Sequence, residues 1–163
     1  MNNHTAVIGF PVDHSISPSI HNFWIQEEGL KVGNYQKISL KQEEVKSFFE
    51  KCLNENYRGL NVTVPYKEIA FELCHSTSQT ATKLRAVNTI IFENNKIIGD
   101  NTDPIGFKNS LSNKNKVQYV EDKKVLVLGA GGSARSIIYQ LNLMGANIIN
   151  SNRTEEKSSK IKK

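Results

Sequence analysis

A chain of 163 residues, 38% hydrophobic and 23% charged, has the composition of a soluble globular protein of one domain, or one and a fraction. Every apolar run falls far short of the roughly 18 residues a membrane span needs. No Lys or Arg precedes the short apolar run of "MNNHTAVIGF", which argues against a secretory signal, so a cytoplasmic protein is expected. The net charge of +5 is uneven: residues 1–112 carry 11 Lys/Arg and 12 Asp/Glu, whereas residues 113–163 carry 10 and 4.

A basic second region could face nucleic acid, a phosphorylated cofactor or solvent. Its lysines cluster in the last few residues without interleaved aromatics to stack on bases, so nucleic acid is not the expected partner. Cys52 and Cys74 form no CxxC motif and read as two reduced thiols. His4, His14, His21 and His75 show no metal-ligand spacing, and no metal is expected.

In chain order, "TAVIGF" is a short buried strand. "SPSIHNFWIQEEG" is a helix with Ser17 as N-cap, Pro18 at its first position and Gly29 past its end, and Ile20, Phe23 and Trp24 give it an apolar face. "NYQKISL" is a second strand. "EEVKSFFEKCL" is an amphipathic helix that turns Val45, Phe48, Phe49, Cys52 and Leu53 inward. "GLNVTV" is a third strand, "YKEIAFELC" a third helix, and "VNTIIFENNKIIG" a hairpin turning at Asn94-Asn95. "DPIGFKNSL" opens another helix. This alternation predicts an α/β fold with a mostly parallel sheet and helices on both faces. The lysine-rich "SNKNKVQYVEDKK" is the best linker candidate, separating a domain of residues 1–112 from a region of residues 113–163.

The second region opens with "KVLVLGAGGSARSIIYQLNLMGANIINSNRT". Gly129, Gly131 and Ala134 fit G-x-G-x-x-[G/A] directly after an apolar strand and at a helix start. That context suits dinucleotide binding: one glycine makes the tight turn, the next admits a pyrophosphate, and the small third residue lets helix and strand pack. The following strand lacks the acid that binds an NAD ribose. Asn152, Arg153 and Thr154 supply donors instead, which favours NADP.

In "GLNVTVPYKE" a lone lysine, Lys67, falls where a strand stops and a helix starts. The positive end of a helix dipole disfavours a second positive charge, a setting that suits proton exchange. Asp103, at another loop-to-helix junction, is a candidate neighbour. Ser17 is accounted for by capping. Ser15 is not, and two hydroxyls ahead of a helix could bind a carboxylate. Asn61 and Thr63 share a strand face, and Asn88 and Thr89 place polar groups in an apolar strand, where they need partners.

Together "GFPVDHSISPSIHN", "GLNVTVPYKE", "AVNTI", "GDNTDPIGF", "GAGGSAR" and "NRT" resemble, in order and spacing, the shikimate dehydrogenases, from about Thr5 to Thr154. The resemblance implies an N-terminal substrate domain, a Rossmann domain, and reduction of 3-dehydroshikimate to shikimate with NADPH on the route to chorismate and the aromatic amino acids. It implies that Ser15 and Ser17 hold the substrate carboxylate, and that Asn61, Thr63, Asn88 and Asp103 bind the ring hydroxyls or line that pocket. Lys67 would be the acid/base, oriented by Asp103. Gly129, Ala130, Gly131, Gly132, Ser133 and Ala134 would cradle the pyrophosphate, and Asn152, Arg153 and Thr154 the 2′-phosphate.

Three features depart from the family pattern. Pro104 and Arg85 stand where the family usually has a small residue and a glycine, and only one βαβ unit of the Rossmann domain is present. Such an incomplete unit cannot cover both sheet faces, so exposed apolar surface is expected on Ile137, Ile138, Leu141 and Ile148, or a partner that covers it. The alternatives to an active shikimate dehydrogenase are a remnant that binds shikimate without turnover, and one half of a split enzyme completed by a C-terminal fragment. Quinate as substrate, and a homodimer, also stay open.

Overall fold

The computed structural model describes residues 3–112 and 120–153, and the chain forms two compact units, Met1–Asn101 and Thr102–Lys163. In the first, β1 (His4–Gly9) leads through α1 (Ser17–Glu27) to β2 (Tyr35–Ser39). A 3-10 turn, Gln42–Glu44, runs into α2 (Val45–Asn54). β3 (Tyr57–Val62), α3 (Lys67–Leu73), the two-residue β4 (Ser76–Thr77) and α4 (Gln79–Leu84) follow. The hairpin β5 (Thr89–Glu93) and β6 (Lys96–Asp100) turns at Asn94 and Asn95. Both have positive φ, as the tight turn that matches strand twist requires.

The sheet order is β2-β1-β3-β5-β6-β4. β1 pairs in parallel with β2 and β3, and β4 with β6; only β5 runs against its neighbours. The main core lies on one face, where Ala6, Ile8, Leu60, Val62 and Ile90 meet Val45, Phe49 and Cys52 of α2, Ala70 of α3 and Ala81 of α4. The Val, Leu, Ile and Phe side chains among them contribute about 1.5–3 kcal/mol each when fully buried. Tyr66 is buried there with its hydroxyl donating to the Leu40 carbonyl.

α1 departs from expectation in two ways. It has no fully buried residue, and Ile20, Phe23 and Trp24 are exposed. The side that meets the sheet carries His21, stacked on Tyr35, and Ile25, packed beside Val7, Val12 and Tyr35. Ser17 also caps nothing: the Ser17 N–H donates to Ser15 Oγ at 3.3 Å, so the earlier serine satisfies that amide. Arg85 keeps the left-handed conformation (φ +50°) that glycine favours, as the C-cap of α4. Its guanidinium pairs with Glu72 at 2.9 Å and lies over the Phe71 ring.

The second unit begins earlier than the expected linker, because Phe107 of α5 (Asp103–Ser112) packs into its core. β7 (Lys124–Leu128), α6 (Gly132–Leu143) and β8 (Asn147–Ser151) form one parallel βαβ unit, and α6 ends before Gly145 at φ +78°. Residues 113–119 of the linker lie outside the described residues. The expected exposed face is reversed. Ile138 and Leu141 are buried, and Ile137 and Ile148 pack against them, because α6 covers that side of the two strands. The exposed large side chains of the two strands are Leu126, Leu128 and Ile149, which alternate onto the opposite face.

Candidate functional site

The first unit gathers polar groups along one edge of its sheet. β1 and β3 end there, and antiparallel β5 starts there, with Asn61 facing Thr89 across the ladder. The Val62 N–H donates to the Asn88 carbonyl at 2.8 Å, the Thr63 N–H to the Ile8 carbonyl at 2.9 Å, and the Phe10 N–H to the Val64 carbonyl at 3.1 Å. These bonds knit the loops after β1 and β3 to the strand start. A Cβ at Gly9 would meet Thr63 Cγ2 at 2.5 Å, so glycine is what lets the two loops approach.

Lys67 is half-buried and is the first residue of α3. The Val87 N–H donates to its carbonyl at 2.8 Å, which ties this helix start to the residue before Asn88. The structure thus brings Asn61, Thr63, Lys67 and Asn88 to one place. Ser15 and Ser17, both half-buried, sit in the loop and helix start that follow β1 on the same edge. Asp103 opens α5 and belongs to the second unit.

Two carboxamides are fixed by hydroxyls. Tyr35 donates its O–H to Asn61 Oδ1 at 2.7 Å, and Thr89 donates to Asn88 Oδ1 at 2.8 Å. Tyr35 and Asn61 border a cavity of about 260 Å³ under α1, with His21, Ile25, Leu60 and Thr89. Burial pushes the Tyr35 phenol's pKa up and the His21 imidazole's down, so both stay neutral near pH 7. Donors beside a lysine suit a ligand rich in hydroxyl, carbonyl or carboxylate oxygens. Among the described residues no cluster of His, Cys, Asp or Glu could hold a metal, and no helix is long and apolar enough to cross a membrane.

The glycine turn occupies the start of α6. Gly129 has φ +126°, a conformation that side chains rarely adopt, and it lies beside Ala134. Gly131 is the N-cap, and a Cβ there would touch nothing within 4 Å, which leaves open space above the first amides of the helix. That space suits a pyrophosphate, and Gly132, Ser133 and Ala134 form the first turn beneath it. Ala130 lies within the turn, Asn152 is half-buried and Arg153 exposed just past β8. Thr154 lies outside the described residues.

A family model described as the shikimate dehydrogenase substrate binding domain matches residues 7–90, more than half of the chain. The chain belongs to the shikimate dehydrogenase family. The NADP(+) shikimate dehydrogenase of Aquifex aeolicus is 45% identical over 96% of this chain and 57% of its own length, and that of Pelagibacter ubique 42% over 96% and 58%. The crystal structure of the Aquifex aeolicus shikimate dehydrogenase matches with a TM-score of 0.91 over 98% of this chain and 59% of that one. The Thermus thermophilus enzyme in complex with NADP(H) and shikimate is 31% identical, with a TM-score of 0.87 over 98% and 59%. The chain therefore spans little more than half the length of the curated shikimate dehydrogenases it matches.

Sequence reasoning missed four residues that build these sites. Tyr35 and Asn22 look like ordinary strand and helix residues. Asn101 is buried, donating to the Ala86 carbonyl at 2.8 Å, and Asn150 donates to carbonyls of the glycine turn. The available signal was the amide of Asn150 directly after two isoleucines in the strand "NIINS".

Proposed function

We propose that the chain is the substrate-binding half and initial cofactor-binding portion of an NADP-dependent shikimate dehydrogenase, reversibly reducing 3-dehydroshikimate to shikimate. The observation that carries this reading is the convergence of Asn61, Thr63, Lys67 and Asn88 on one sheet edge, in a chain whose relatives bear that name. Residues 1–112 would bind substrate and residues 113–163 cofactor. Ser15 and Ser17 would hold the substrate carboxylate; Asn61, Thr63 and Asn88 would bind ring hydroxyls. Lys67 would give its proton to the C3 carbonyl oxygen as C3 is reduced, and take it back in reverse, with Asp103 orienting it. The glycine turn from Gly129 to Ala134 fits the pyrophosphate, and Asn152, Arg153 and Thr154 would hold the 2′-phosphate. Bound NADPH supplies the hydride. Two free thiols, Cys52 and Cys74, suit a cytoplasmic setting.

The test is NADPH formation from shikimate and NADP+, with Lys67→Ala prepared identically. Turnover in the wild type alone assigns the proton to Lys67. Equal signals in both overturn it.

A second reading rests on the bare face of Leu126, Leu128 and Ile149. Here the chain binds shikimate but turns over only when a complementing C-terminal fragment, or a second copy, covers that face. Activity that appears on mixing with the C-terminal part of a relative favours this reading. Full activity of the chain alone rejects it.

A further inference from the structure

The Asn61 carboxamide has its orientation chosen for it. Its nitrogen faces the Asn88 carbonyl oxygen at 3.5 Å, and a carbonyl can only accept. The oxygen is thereby turned to Tyr35, whose hydroxyl donates to it at 2.7 Å. That second bond is the short one, so Tyr35 does most of the holding.

Tyr35 is itself anchored from three sides. Its backbone N–H donates to Asn22 Oδ1 at 2.7 Å, and Asn22 Nδ2 donates to its carbonyl at 3.0 Å. Its ring stacks on His21 with centroids 4.2 Å apart and planes 7° from parallel. It is 5% exposed, so little freedom remains for the phenol to find another acceptor. The chain from Asn22 through Tyr35 to Asn61 lies wholly within the first unit.

We propose that Tyr35 is a positioning residue for substrate recognition: the Asn88 carbonyl sets which end of the Asn61 amide faces it, and the Tyr35 hydroxyl, donating to Oδ1, holds that orientation so that the remaining carboxamide N–H is offered to a ligand oxygen. This rests on the reading of Asn61 as a substrate-binding residue. The consequence is specificity of a defined kind. At Asn61 the site accepts a ligand oxygen with a free lone pair and rejects an ammonium or amide N–H at the same place. Without the Tyr35 hydroxyl the carboxamide keeps only the 3.5 Å contact with the Asn88 carbonyl, so it is held less firmly and presents its N–H less consistently.

The test is shikimate binding to the full chain by calorimetry for wild type, Tyr35→Phe, Asn61→Ala and the double variant. Phenylalanine keeps the ring stack and removes only the hydroxyl. Tyr35→Phe is expected to weaken shikimate binding about 3- to 10-fold, the worth of one neutral hydrogen bond. NADP+ binding stays unchanged. The double variant is expected to bind no more weakly than Asn61→Ala alone, because Tyr35 acts only through Asn61. Additive losses in the double variant, or a Tyr35→Phe variant that binds shikimate like wild type, overturn the proposal.

If Asn61→Ala binds shikimate as tightly as wild type, the underlying assignment of Asn61 fails and the proposal falls with it. That result is distinguishable, because it appears in the single Asn61 variant. A ligand-free measurement covers the case of weak binding throughout. The side-chain NH2 signal of Asn61 in an NMR spectrum should shift and broaden in Tyr35→Phe, and an unchanged signal counts against the lock.

Discussion

The Asn150 side-chain nitrogen donates to the Gly129 carbonyl at 2.7 Å, pinning the glycine turn to the end of β8; a second bond reaches the Val127 carbonyl at 3.1 Å. Two carbonyl oxygens surround one amide nitrogen, while Asn150 Oδ1 is buried without a hydrogen-bond partner. Asn150→Ala removes the two bonds and the unmatched acceptor together, a net loss of about 1 kcal/mol. Asn150→Asp is expected to be worse, by a further 1–2 kcal/mol or so, because a carboxylate would face two carbonyl oxygens with nothing to donate. Urea unfolding at neutral pH ranks the variants. An Asp variant as stable as the Ala variant would show that the turn is not held this way.

Gly9 and Thr63 make the closest approach at the sheet edge. A Cβ on residue 9 would stand 2.5 Å from Thr63 Cγ2 and 3.0 Å from the Val64 carbonyl oxygen. Gly9→Ala should cost about 1–3 kcal/mol, as overpacking does, and should weaken shikimate binding by displacing Thr63. Adding Thr63→Ser deletes the clashing methyl and keeps the hydroxyl, so part of the stability should return. No recovery would place the strain at the Val64 backbone instead.

Burial against Tyr35 lowers the His21 pKa below its ordinary 6.5. Between the folded value and 6.5 the unfolded chain binds a proton that the folded chain does not. His21 therefore contributes stability that is present above the ordinary value and lost as pH falls through the folded one. His21→Phe keeps an aromatic ring on Tyr35 and cannot titrate. Over roughly pH 7.5 to 5, the range in which histidine titrates, its unfolding free energy should fall less than that of the wild type. Parallel curves would refute the assignment.

Cys52 is buried and its thiol pKa is pushed up to about 12 by burial first, then by Glu55, with Lys51 opposing. Cys74 is pushed up to about 11 by burial, and its thiol donates to the Ala70 carbonyl. Since the thiolate is the reactive form, both cysteines should react with Ellman's reagent at mildly alkaline pH only as the chain unfolds. Fast labelling of the native protein would contradict this.

The long elements were readable because their apolar residues keep a clear period: β1, α2, β3 and the β5–β6 hairpin follow the pattern of "TAVIGF", "EEVKSFFEKCL", "GLNVTV" and "VNTIIFENNKIIG". β4 and α4 were not, since "STSQTATKL" is short and polar. Its one local signal is Ser78, whose hydroxyl accepts from the Ala81 N–H at 3.1 Å. α1 misled because its apolar stripe is not its contact side; a stacked His21 and an Asn22 backbone clamp hold it instead. The sheet-edge groups Asn61, Thr63, Lys67 and Asn88 were legible from strand ends and motif order. Tyr35 was not, because its role depends on a neighbour 26 residues away in sequence, and no local pattern encodes a pairing of that range.

The position of β1 in the sheet has a consequence for biosynthesis. Among the described strands of this sheet it precedes both of its neighbours in the chain, yet it lies between β2 and β3 and needs both to complete its ladders. Until β3 emerges, "TAVIGF" is an apolar ribbon with at least one open edge, the kind of surface that chaperones hold and aggregates recruit. The β5–β6 hairpin, closed by two residues, can form in about 1–10 μs. Assembly around β1 therefore waits on β3, and slowing translation just before Val62 should lengthen the vulnerable interval more than slowing it anywhere after Asp100.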